Sequence, residues 1–285
     1  MQSSNPVFTR SEGFNGQTTT RSSSGMTYPG QGAPQAPQYS DPYGQPQQST
    51  TQAPVGTGPM TIDSVVQKTG ISLGLVVLTA AATWFLTGPI DDPAAVNTLY
   101  ALSMFGALVG FGLAMVNSFK RVVSPALVMA YAVVEGVFVG AFSKAMEAQF
   151  GEGLVMGAVI GTFAAVAGTL AAYKFFNIRV SNKFRKWVVA AMFGFVAVSL
   201  LDFVLSFFSA EIGINGFGGL GLVMSFVGLG LGVLMLILDF DFVERGIEAR
   251  LPERESWRAA FGLTVTIIWI YIELLRILAI LRGND

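Results

Sequence analysis

Residues 218–243 read GGLGLVMSFVGLGLGVLMLILDFDFV, and no charge occurs before Asp239. About 20 mostly apolar residues suffice to cross about 30 Å of hydrocarbon as a helix. The run is too long and too uniformly apolar for a core strand or a strand of a membrane barrel, which would alternate. A membrane-spanning helix is therefore the reading, because only helices and closed barrels satisfy every backbone polar group in lipid.

Six more blocks of the same kind follow one another from residue 63 onward, with short polar breaks between them. The seven predicted spans are 70–88, 97–117, 123–143, 154–173, 187–209, 218–243 and 257–281. The predicted fold is an all-α membrane protein, a bundle of seven transmembrane helices in a domain running from 63 to 285. Four spans carry glycines four residues apart: Gly106/Gly110, Gly136/Gly140, Gly157/Gly161 and Gly228/Gly232. Such pairs let helix backbones approach closely.

Residues 1–62 are the opposite in composition. Their only charges are Arg10, Glu12, Arg21 and Asp41, and stretches such as TYPGQGAPQAPQYSDPYGQPQQSTTQAP dominate. This segment is too poor in apolar residues to offset its ordering entropy, so it is expected to be a disordered tail. It has no apolar core of a signal peptide.

The break between spans two and three holds Lys120 and Arg121. The break between four and five holds Lys174, Arg179, Lys183, Arg185 and Lys186. The break between six and seven holds Arg245, Arg250, Arg254 and Arg258. The breaks on the other side hold only Lys144. Basic loops stay in the cytoplasm, so the N-terminus is expected inside and the C-terminus outside. A bacterial plasma membrane is the expected location.

Composition removes several functions. The 285 residues include no His and no Cys. Thiolate metal sites, cysteine nucleophiles, imidazole ligands and Ser-His triads are therefore excluded. A net charge of −1 gives no basic footprint for nucleic acid. Residues 216–221, GFGGLG, match a dinucleotide fingerprint in letters only. The fingerprint has meaning between a strand and a helix, and no alternating strand pattern surrounds it. An enzyme is not expected, although paired carboxylates also serve intramembrane hydrolysis. No resident cofactor is expected.

Proton chemistry must then run on carboxylates. Five acids fall inside spans: Glu135 in span three, Asp202 in span five, Asp239 and Asp241 in span six, and Glu273 in span seven. An ionisable group inside a span is a functional hypothesis by default. Two carboxyls held close share a proton and titrate as a unit. When ionised, they form an oxygen-rich site suited to a hard cation such as Ca²⁺.

Asp239 and Asp241 point about 200° apart around a helix, so they cannot both face one partner. Asp241 also stands four residues before Arg245, a structural pairing. Glu273 stands three before Arg276, which makes a compensated internal pair the alternative to a functional acid. Glu135 and Asp202, with Arg276, are supporting candidates. Either acid could line a pathway or merely bond a neighbouring helix. Asp239 lies close to the basic end of span six, whereas Glu273 lies about 24 Å beyond Trp257. Their depths match only if the start of helix seven lies in the interface or helix six extends beyond the membrane.

The segments SPALVMAYAVVEGVFVGAFS (124–143), LILDFDFVERGIE (236–248) and ESWRAAFGLTVTIIWIYIELLRILAIL (255–281) resemble the Bax inhibitor-1/YccA family. The Gln/Pro-rich tail is similar to that of its actinobacterial-type branch. The resemblance covers about residues 63–282. It implies a central helix seven wrapped by the other six, and a pH-sensitive Ca²⁺ leak controlled by an acidic pair between helices six and seven. On that pattern Asp239 is the sixth-helix acid, with Asp241 as alternate, and Glu273 the seventh-helix acid. Asp239 and Glu273 would be the Ca²⁺ contacts. Glu is longer than the usual Asp of the seventh helix, and span two lacks the Arg that can engage the pair. The implied partners are the lipid bilayer, Ca²⁺ and protons. The alternative from another class is a regulatory protein that binds a second membrane protein such as a protease. Proton-coupled transport is a third option, without an inverted-repeat signature to support it.

Overall fold

The computed structural model describes residues 58–283 apart from 91, 92 and 211. Among them are seven helices: α1 (Ile62–Leu86), α2 (Pro93–Phe119), α3 (Pro125–Phe150), α4 (Leu154–Phe175), α5 (Asn182–Ser206), α6 (Gly219–Glu248) and α7 (Glu255–Gly283). Each is long and apolar enough to cross a membrane. The expected disorder of residues 1–57 lies outside the described residues.

Helix ends differ from the apolar blocks where polar residues continue a helix. α1 begins eight residues before the predicted span. Thr61 caps it: its hydroxyl accepts from Ser64 N, and Ser64 Oγ accepts from Thr61 N, both at 3.1 Å. This reciprocal box satisfies two donors that a helix start leaves open. Lys68 then anchors the polar turn to Glu253 Oε1 at 3.0 Å. α3 continues through SKAMEAQF to Phe150, and α6 through ERGIE to Glu248. Lys, Glu, Ala and Met are good helix formers, and hydropathy alone does not register them.

The chain is packed from residue 58, ahead of the expected boundary at 63. Met60 N donates to Leu251 O at 2.7 Å and Glu253 N to Gly58 O at 2.9 Å, around an antiparallel bridge between Pro59 and Pro252. Met60 is buried and lies against Gly246 and Leu251. The entry to α1 is thus stapled to the turn between α6 and α7.

α7 is central. Two-thirds of its most apolar window (67%) is buried, against 17% for α1 and α5. It packs directly on α1, α3, α4 and α6, while α2 lies on α3 and α5 on α6. The resemblance implied six helices around α7; here four touch it along their backbones. From α5, Phe195 reaches the Trp269 ring of α7, with centroids 5.6 Å apart.

All four glycine pairs sit at these crossings. Gly106 faces Phe138 and Gly110 faces Glu135, between α2 and α3. Gly136 faces Val76 and Thr79 and Gly140 faces Ala80, between α3 and α1. Gly157 and Gly161 receive Leu278 and Leu274 from α7. Gly228 and Gly232 receive Glu273, Trp269 and Ile270. Outside, Phe85, Phe105, Phe163, Phe193 and Phe226 are exposed, an apolar surface suited to lipid. Inside the helices, Thr79, Thr83, Thr162, Thr169 and Thr264 donate to the carbonyl four residues back. Their hydroxyls therefore need no water.

The sequence GFGGLG contributes a turn. Gly218 caps α6, and a Cβ on Gly221 would collide with the Gly216 carbonyl. No strand precedes it among the described residues.

Candidate functional site

The acids of α6 part company as their spacing requires. Asp241 is buried and faces α5. Arg185 Nη2 approaches its Oδ2 at 2.5 Å, and Arg245 Nε its Oδ1 at 3.0 Å. Arg245 also donates to Val180 O at 2.5 Å. Two guanidiniums engage this carboxylate, so Asp241 ties α6 to the start of α5.

Asp239 faces α7. Its Oδ2 accepts from Thr266 Oγ1 at 2.6 Å. Gly262 brings the α7 backbone close, so that a Cβ there would stand 3.2 Å from Oδ1. Asp239 lines a cavity of about 310 Å³ with Asn117, Ser118, Arg258 and Gly262. The cavity lies at the end of the bundle that carries the basic loops. Arg258 pairs with Glu255 at 3.2 Å and donates to Arg121 O at 2.8 Å. Asn117 Nδ2 donates to the carbonyls of Leu113 and Leu127, while its Oδ1 is buried with no hydrogen-bond partner. A buried orphan acceptor calls for a water or an ion.

Glu273 is elsewhere. It is buried beside Gly228, where a Cβ would lie 2.6 Å from Oε1. Its Oε2 stands 3.4 Å from Arg276 Nη1, and Arg276 Nη2 donates to Ile214 O at 3.0 Å. Gly228 and Asp239 are 11 residues apart on α6, about 16 Å of helix. The structure therefore does not bring Asp239 and Glu273 together as the expected acidic pair. The residue of α7 that meets Asp239 is Thr266. Glu273 and Arg276 form the internal ion pair weighed from their spacing.

The supporting candidates are separate again. Asp202, buried at the other end of the bundle, accepts from the backbone N–H groups of Ile212, Gly213 and Asn215 at 2.6, 3.0 and 2.8 Å. It organises the loop between α5 and α6. Glu135 is partly buried against Gly110 of α2. The sequence reading missed Thr266, Asn117 and Arg185. Thr266 and Asn117 carry no charge signal inside an apolar helix, and Arg185 was read only as one of a run of basic loop residues.

A single carboxyl thus occupies a cavity at the basic end, with Asn117, Ser118 and Arg258 also in its lining. Such a group can exchange a proton with solvent and, when ionised, attract a cation. A family model described as Bax inhibitor 1 like matches residues 5–283. An uncharacterized protein of Chlamydia muridarum (strain MoPn / Nigg) is 28% identical over 158 residues, or 54% of this chain and 63% of that protein. The matched part therefore spans somewhat less than two-thirds of that relative's length.

Proposed function

The chain belongs to the Bax inhibitor 1 like family, and on that premise we propose that this integral membrane protein is a pH-sensitive Ca²⁺ leak switched at Asp239. The observation that carries the reading is the cavity that holds Asp239 at the basic end of the bundle, lined also by Asn117, Ser118 and Arg258. Carboxylate, amide and hydroxyl oxygens suit a hard cation. Among the described residues no three carboxylates converge, so Ca²⁺ in transit would complete its shell with carbonyl and water oxygens. That arrangement favours passage over tight retention.

The direction of the pH response follows from charge. Acid neutralises Asp239, leaving a neutral carboxyl beside Thr266 and no anionic contact for the ion. Raising the pH ionises it and places a negative charge in the cavity. Ca²⁺ flux should therefore rise with pH. With Thr266 opposite Asp239 in place of a second acid, the response should follow the titration of one proton rather than a coupled pair. Ca²⁺ flux into liposomes containing only this protein, measured against pH, tests the reading. No flux above that of empty liposomes at any pH would reject it.

The proposed location is a bacterial plasma membrane with the basic end in the cytoplasm. The absence of Cys makes this easy to test. Ser209→Cys should react with a membrane-impermeant thiol reagent in intact cells, and Arg254→Cys only after permeabilisation. The reverse pattern would invert the orientation.

A further inference from the structure

The turn joining α4 to α5 carries a surface that the proposed ion path does not use. Lys174, Arg179, Lys183 and Lys186 are exposed there, and none of them enters an ion pair among the described residues. Arg185, from the same run, is committed to Asp241. Interleaved with these cations are three large rings that face outward: Phe175, Phe176 and Trp187, exposed by 83%, 79% and 68%.

The turn is not a loose tether. Val180 is buried with Val188 and Leu238, and its carbonyl accepts from Arg245. Ser181 caps α5 by accepting from Phe184 N at 3.1 Å. The turn is therefore fixed to α6 while its cations and rings point away from the protein.

We propose that this turn is a binding surface for anionic phospholipid headgroups. Unpaired ammonium and guanidinium groups complement a phosphate, and each basic group near an anionic membrane surface adds attraction. The rings decide between a lipid and a phosphate in solution. Exposed Phe and Trp beside the cations, at the ends of two spanning helices, sit at the depth where aromatic side chains meet the headgroup layer. A dissolved phosphate would have no use for them.

The test uses the full chain in mixed micelles holding equal phosphatidylglycerol and phosphatidylcholine, with bound lipid counted by native mass spectrometry. The wild type should retain phosphatidylglycerol in preference. The combined variant Lys174→Gln, Arg179→Gln, Lys183→Gln and Lys186→Gln should lose that preference by at least about tenfold, with phosphatidylcholine unchanged. A variant of equal charge change elsewhere on the same face, Lys120→Gln, Arg121→Gln, Arg250→Gln and Arg254→Gln, should keep it. Equal loss in both variants would show a diffuse positive surface and overturn the site. So would an absence of preference in the wild type, or full displacement of the lipid by millimolar inorganic phosphate.

Discussion

Arg276→Met should lower the thermal stability of the purified protein by roughly 10 °C, since removing one partner of a buried ion pair costs about 3–5 kcal/mol. Glu273 and Arg276 are both buried, on the central helix, at 3.4 Å. Without the guanidinium, Glu273 must either ionise without a counter-charge or take up a proton, and Ile214 O loses its donor. The double variant Glu273→Gln, Arg276→Met should recover most of the loss. Replacing both members of a buried pair is often nearly neutral, whereas orphaning one is not. Unfolding curves in detergent check this. A single variant as stable as the wild type, or a double variant no better than the single, would mean the pair does not hold the helix.

Gly140→Leu should be more damaging still. A Cβ at Gly140 would stand 2.5 Å from Ala80 O and 2.8 Å from Ala80 Cα. Both are backbone atoms of α1, so no side chain can move aside. The two helices would have to separate, and overpacking of this kind costs about 1–3 kcal/mol or more before a whole leucine is accommodated. Because folded proteins hold only about 5–15 kcal/mol in reserve, most of the protein should be lost from the membrane fraction. Gly168→Leu is the matched control. Gly168 is also helical and has nothing within 4 Å of its would-be Cβ, so folded yield should be unchanged. Equal yields of the two variants would contradict the close α1–α3 crossing.

The seven spans were legible because a membrane demands long uncharged runs, and runs such as 218–238 have no other use. The glycine pairs were legible for the same reason: backbone contact leaves a four-residue spacing. Helix ends were not, because Thr61 caps a helix, and Lys68 and Glu147 continue helices, beyond the apolar region. Within the site, Asp241–Arg245 and Glu273–Arg276 could be read from spacing along one helix. Asp239–Thr266 could not, because it depends on the register between two helices. The depth arithmetic already stood against Asp239–Glu273. In an antiparallel pair, residues meet at equal distances from the shared turn. Asp239 lies nine residues before the end of α6, while Glu273 lies 18 after the start of α7. Thr266, 11 after that start, is the better match, and nothing in a threonine's composition announces it.

The central claim is that one carboxyl, Asp239, sets the pH response. Ca²⁺ uptake into liposomes reconstituted with the wild type, Asp239→Asn or Glu273→Gln, followed across pH 5–9, tests it most directly. Asp239→Asn should give a flux that does not vary with pH. Glu273→Gln should keep the wild-type profile, rising with pH along a one-proton curve. A profile retained in Asp239→Asn, or abolished only in Glu273→Gln, would contradict the account.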